Sequence, residues 1–236
     1  MRSTTPALLA FAIVAALLLP PPHTATAAQP SQLEICDADP SAPLDIVLLL
    51  DESGSIDDAD PNGLRTEAVN AFLFGLADLA VGASSGTPRD IDVYVAMFNT
   101  QTTTVVDWRP LADRRAASEI GDTIETAWAN PTGDTNQVLA FEDGLNRLEE
   151  RTGRCRIMVM FTDGVIDTGP GNAEADVALA ESEACRARHD DGSPTVSERA
   201  NNLDVYTFVL LLEPKAGGNA FLERLSATMT LFSSIT

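Results

Sequence analysis

The sequence is short of the residues that many enzymes and transition-metal sites depend on. It holds 2 histidines and 3 cysteines in 236 residues. His23 falls in the N-terminal leader described below, which leaves only His189, a lone residue in a polar stretch, and no Ser-His-Asp set is read from the chain. There is no glycine-rich phosphate loop and no DxDxT motif of the haloacid phosphatases. Positive charge is scarce as well: 15 basic residues stand against 35 acidic ones. Such a surface repels phosphate backbones and anionic headgroups, which excludes nucleic acid and direct membrane binding as expected partners and favours cations. For most of these acids, solvation of the surface is a sufficient role. No internal repeat is present.

The one long apolar run, Leu8 to Leu19, spans 12 residues. That is short for a bilayer crossing. It follows Arg2, is broken by Pro20-Pro21-Pro22, and leads to Ala25-Thr26-Ala27, which has the small-x-small form of a cleavage site. Residues 1–28 are therefore read as a secretory signal peptide, with an uncleaved anchor as the alternative, and the product as secreted or extracellular. Residues 29–42 form a polar linker. The remainder, 43–236, is expected to be one domain, with truncation at its C-terminal end left open. The last residues, Ser233-Ser234-Ile235-Thr236, provide no closing helix, charge cluster or anchor.

Hydrophobic periodicity organises that domain. Leu44 to Leu50 is a near-continuous aliphatic run, which suits a strand buried on both faces of a parallel sheet. From Pro61 to about Ala80, apolar residues recur every three or four positions and predict an amphipathic helix. Strands are expected at Ile91–Phe98 and Thr102–Trp108. Only three residues separate them, so the second should run antiparallel. Helices follow at 113–128 and around Val138–Leu148, a buried strand at Ile157–Phe161, a helix over 173–188, a polar loop over 189–197, and a strand at Leu203–Leu212. A last helix begins near Phe221, and a short strand around Thr230–Phe232 is an option. The alternation specifies an α/β fold: a doubly wound, mainly parallel sheet with one antiparallel edge strand and helices on both faces.

In such sheets, ligands bind beyond the carboxyl ends of the strands. Two of the most apolar strands end there in acids, Asp51 and Asp163. The first is followed by Ser53 and Ser55 in Asp51-Glu52-Ser53-Gly54-Ser55, where residues i, i+2 and i+4 can converge and Gly54 permits the bend. The loop before the Val138 helix offers Asp134 and Thr135. Every group is a hard oxygen donor, which suits magnesium or calcium and disfavours zinc, copper and iron. Taken alone, Ser53 and Ser55 also suit a turn or a helix N-cap. Asp57, Asp58 and Asp60 are read as acids complementing a helix N-terminus. Asp134 is read as a residue that orders its turn or stands behind the ligands, and Trp108 and Trp128 as packing residues.

These three pieces, Asp51-x-Ser53-x-Ser55, Thr135 within Gly133-Asp134-Thr135-Asn136, and Asp163 within Phe161-Thr162-Asp163-Gly164, resemble the metal-ion-dependent adhesion site of the von Willebrand factor type A family, over roughly residues 43–225. The resemblance implies that Ser53, Ser55 and Thr135 bind a divalent cation (Mg2+, or Mn2+ or Ca2+) directly, with Asp51 and Asp163 acting wholly or partly through water. It also implies a vacant coordination position that takes an acidic side chain from a protein partner. The expected function is a non-enzymatic, metal-dependent protein-binding or adhesion module. A secreted metal-assisted hydrolase and a metal-free structural subunit are the alternatives. In an exported chain two of the three cysteines should pair. Cys155 precedes a strand running towards the site and Cys185 lies near the end of the helix running back. A Cys155–Cys185 bridge at the opposite edge is therefore expected, closing a loop of about 30 residues and adding a few kcal/mol.

Overall fold

The computed structural model describes residues 41–60, 63–83, 86–128, 132–164, 193–211 and 232–235. In chain order these form β1 (Leu44–Asp51), α1 (Ser55–Ala59), α2 (Leu64–Ala80), β2 (Ile91–Phe98), β3 (Thr102–Pro110), α3 (Arg114–Ala127), α4 (Gln137–Glu149), β4 (Cys155–Thr162), α5 (Val196–Asn202), β5 (Val205–Leu211) and β6 (Phe232–Ile235). The strands make one sheet in the order β3-β2-β1-β4-β5-β6. All pairings are parallel except β2–β3, which is antiparallel and sits at the edge.

Every residue of β1 is buried, because each face of the strand meets its own layer. Ile46, Leu48 and Leu50 pack into a cluster with Val69, Phe72 and Leu76 of α2 and Ile120 and Ile124 of α3. Val47 and Leu49 pack into a second cluster with Phe141, Leu145 and Leu148 of α4 and Val196 and Ala200 of α5. The period-2 geometry of a strand divides one aliphatic run between two cores. Gly144 lets α4 approach closely: a Cβ there would lie 2.7 Å from the Met158 sulfur.

Side chains set the helix starts. The Asp60 carboxylate accepts from the backbone N–H groups of Leu64 (2.7 Å) and Arg65 (2.9 Å). This moves the start of α2 three residues beyond the expected Pro61, and it is the helix-terminus role expected of Asp60. Asp113 caps α3 and Asn136 caps α4. The 189–197 stretch differs from the expected loop, since Thr195 caps α5 and Val196 and Ser197 are already helical. The terminal strand falls at Phe232–Ile235, slightly later than expected. The signal peptide, linker residues 29–40, the 173–188 helix and the helix near Phe221 lie outside the described residues; Ala42, placed in the linker, is buried in the core instead.

At the amino-terminal edge of the sheet, Asp45 is fully buried and receives Arg151 (2.9 and 3.0 Å) and Arg154 (2.6 Å). Cys155 lies at this edge, level with Leu44 and buried. Cys36 and Cys185 lie outside the described residues.

Candidate metal centre at the carboxyl edge

Strand order fixes where a ligand can sit. From β1 the chain builds outward through β2 and β3 on one side, then crosses back to build β4, β5 and β6 on the other. The direction of winding therefore reverses between β1 and β4, the position where doubly wound sheets leave a crevice. Asp51 ends β1 and Asp163 directly follows β4. Both are fully buried.

The β1 loop folds back over this crevice. Oδ1 of Asp51 accepts from the Ser53 backbone N–H at 2.9 Å, which turns the chain immediately after the strand. The hydroxyl oxygens of Ser53 and Ser55 then stand 3.1 Å apart. The segment carrying Thr135 is tied to this loop through the backbone: Thr132 N–H donates to the Glu52 carbonyl (2.8 Å) and Gly54 N–H to the Gly133 carbonyl (3.1 Å). Gly133 adopts φ +85°, a left-handed conformation that glycine takes without strain. Asn136 N–H bonds the Asn99 carbonyl, and Thr135 itself is 1 % exposed. Asp134 donates its backbone N–H to Thr100 Oγ1 at 3.3 Å.

Hydrogen bonds join Asp51, Ser53 and Ser55, Asp163 stands close enough for its charge to be felt at Asp51, and backbone pairing holds the segment of Thr135 against the Ser53 loop. Burial pushes the Asp51 carboxyl up from 3.8 to about 6. Hydrogen bonds from Ser53 and Thr162 work against that rise, and the charge of Asp163 adds to it. Two buried acids at one crevice have an electrostatic demand that a cation satisfies. Burial raises the neighbouring Glu52 carboxyl as well, and Asn99 Nδ2 donates to it at 3.2 Å. Among the described residues, no three His, Cys, Asp or Glu side chains cluster to hold a metal, so hydroxyls have to complete any such site. The donor set of carboxylates and hydroxyls fits a hard divalent ion.

Several residues that hold the site did not stand out in the sequence. Thr162 Oγ1 donates to Asp51 Oδ2 at 2.6 Å and accepts from Gln137 Nε2 at 3.2 Å. Trp128, expected to be a packing residue, is buried, and its indole N–H also donates to the Asp51 carbonyl at 3.1 Å. The Arg65 guanidinium lies 4.9 Å over that indole ring. Asp51 is gripped through its side chain from the α4 face of the sheet and through its carbonyl from the α3 face. Thr162 occupies the register position beside Asp51, one step beyond the Leu50–Phe161 pair. Only strand pairing reveals that proximity.

Residues 45–228 match the family model of the von Willebrand factor type A domain. Among solved structures, the pilus adhesin SpaC from Lactobacillus rhamnosus GG in its open conformation superposes with a TM-score of 0.53 at 16 % identity, covering 83 % of this chain and 28 % of that one. The PilB minor pilin from Streptococcus sanguinis gives 0.55 at 14 % identity, covering 83 % and 57 %. The manganese-loaded TRAP protein of Plasmodium vivax gives 0.52 at 15 % identity, covering 83 % and 69 %. The chain thus spans under a third of the adhesin and under two thirds of the pilin. At these identities the likeness is one of fold. No curated protein sequence matches the chain.

Proposed function

The chain belongs to the von Willebrand factor type A domain family, and we propose that it is a secreted, metal-dependent protein-binding module that captures an acidic side chain of its partner through a divalent cation. The observation that carries this reading is the buried pair Asp51 and Asp163 at the β1/β4 crevice, beside the paired hydroxyls of Ser53 and Ser55. Ser53, Ser55 and Thr135 would hold the ion by their hydroxyl oxygens, and Asp51 and Asp163 by their charge, directly or through water. Magnesium is the preferred ion, with manganese and calcium as substitutes of the same hard character.

When bound, the cation supplies a positive charge under-neutralised by hydroxyl donors, which attracts an outside carboxylate. The chain's own residues supply the rest. Thr162 and the Ser53 N–H keep the Asp51 carboxylate turned into the crevice. The two backbone bonds from Glu52 and Gly54 to the 132–133 segment hold the Thr135 loop against the Ser53 loop. An adhesive, non-enzymatic role agrees with the adhesin and pilin among the similar folds, and a metal-loaded site with the manganese-loaded TRAP protein. Secretion rests on the leader at 1–28 and the Cys155–Cys185 bridge on the position of Cys155 at the lower edge; both belong to the proposal.

Calorimetric titration of the chain with magnesium and manganese, before and after EDTA, tests it. Saturable binding that Thr135→Ala removes, with the circular dichroism spectrum unchanged, is the expected result. Absence of any cation binding by the folded wild-type chain would overturn the reading. Partner capture from the native secretome, compared with and without EDTA, then recovers the ligand.

A further inference from the structure

We infer that Thr162, backed by Gln137, is a positioning residue that holds the Asp51 carboxylate oriented for cation binding, without itself being a ligand. This rests on the metal-dependent reading above and adds to it a role for two residues, Thr162 and Gln137, that are not among the five expected ligands.

Hydrogen-bond capacity sets what the Thr162 hydroxyl can do. A threonine hydroxyl has one proton to donate and two lone pairs to accept with. Thr162 Oγ1 accepts from Gln137 Nε2 at 3.2 Å and from the Gly164 N–H at 3.1 Å. Both are donors, so they occupy the two lone pairs. The single proton then has one place to go, Asp51 Oδ2 at 2.6 Å. All three capacities are used. Although Thr162 directly precedes Asp163 and sits beside a site built from hydroxyls, its oxygen has no lone pair left for a metal.

The same geometry gives Thr162 its role. Two donors onto its oxygen polarise the hydroxyl and strengthen its bond to the carboxylate. The donor aimed at Asp51 Oδ2 fixes the rotation of the carboxylate about its own axis. Oδ1 accepts from the Ser53 N–H and Oδ2 from Thr162, so both carboxylate oxygens are anchored by the fold. The relay joins the end of β1, the end of β4 and the first turn of α4. All three side chains lie on the same face of the sheet and are at most 1 % exposed. A buried glutamine amide is costly without partners, and its bond to Thr162 offsets that cost. Gln137 is therefore a support for the hydroxyl rather than a packing residue.

Magnesium calorimetry on the full chain, with Thr162→Val, Thr162→Ser and Gln137→Met, is the test. Thr162→Val keeps the shape and removes the donor, and should weaken magnesium binding about ten-fold, as losing a bond behind a metal ligand does. Thr162→Ser should bring affinity back to near the wild-type value, and Gln137→Met should weaken it by a smaller factor. Water-proton relaxation of the manganese-loaded protein separates positioning from ligation: Thr162→Val should leave the number of exchangeable waters on bound manganese unchanged. One additional water would assign Thr162 as a ligand and overturn the inference. So would wild-type magnesium affinity in folded Thr162→Val, or in Gln137→Met should the valine variant not fold. Loss of all cation binding in the wild type would instead overturn the metal-dependent reading on which this depends.

Discussion

Replacing Asp51 by asparagine should strengthen the cation-free protein and remove its response to magnesium. Asp51 is fully buried, and its carboxyl is pushed from 3.8 to about 6, chiefly by that burial, with Asp163 adding repulsion. Below pH 3.8 the group is neutral in both folded and unfolded states and carries no penalty. Between there and about 6 the folded state keeps a proton that the unfolded state releases, so stability falls as pH rises. The penalty is complete above about 6. A shift of about two units corresponds to about 3 kcal/mol at neutral pH. Asparagine removes the charge and keeps the shape, but one amide edge conflicts with its donors. The Ser53 N–H needs an acceptor, and the Thr162 hydroxyl, with its lone pairs taken, needs another. That conflict costs about 1–2 kcal/mol. A net gain of about 1–2 kcal/mol remains, or about 4 °C in melting temperature for a domain of this size. Thermal unfolding at pH 7 in EDTA measures it. Magnesium at about a hundred times its Kd should then stabilise the wild type by about 3 kcal/mol and Asp51→Asn by nothing comparable. An Asp51→Asn variant no more stable than wild type in EDTA, or one that magnesium still stabilises fully, would refute the reasoning.

Two further outcomes separate the ends of the sheet. Asp45→Ala should cost about 3 kcal/mol, because it leaves Arg151 and Arg154 beside an emptied buried position. It should not change magnesium affinity, since Asp45 lies about 20 Å from Asp51 along β1; denaturant melts and calorimetry on one preparation check both. Trp128→Phe removes the indole donor from the Asp51 carbonyl and should cost about 1–2 kcal/mol. Magnesium binding should weaken several-fold while the far-ultraviolet circular dichroism spectrum is retained.

Local signals were reliable where the physics is local. The limits of β2 follow from its own apolar pattern, and the antiparallel β3 from the three-residue link after it. The caps of α3 and α4, Asp113 and Asn136, lie one residue ahead of their helices, in the polar stretches before the apolar periods. The start of α2 was displaced because Asp60, ahead of Pro61, supplies the acceptors for its first N–H groups. The α5 helix is only seven residues long with few apolar positions, so the Thr195-x-x-Glu198 capping pattern was its one visible signal.

Taken alone, the sequence determined the α/β class, the two-faced burial of the central strands and the placing of Asp51, Ser53, Ser55 and Asp163 at strand ends. Those features follow from side-chain period along each strand and from residue chemistry. Tertiary structure decided that β1 and β4 are neighbours at the point where the winding reverses. It also decided that Thr162, backed by Gln137, stands beside Asp51, that Trp128 reaches Asp51 from the other face, and that the Asp51 carboxyl is pushed up to about 6. Each of these depends on strand order, register or desolvation, which are relations between segments far apart in the chain.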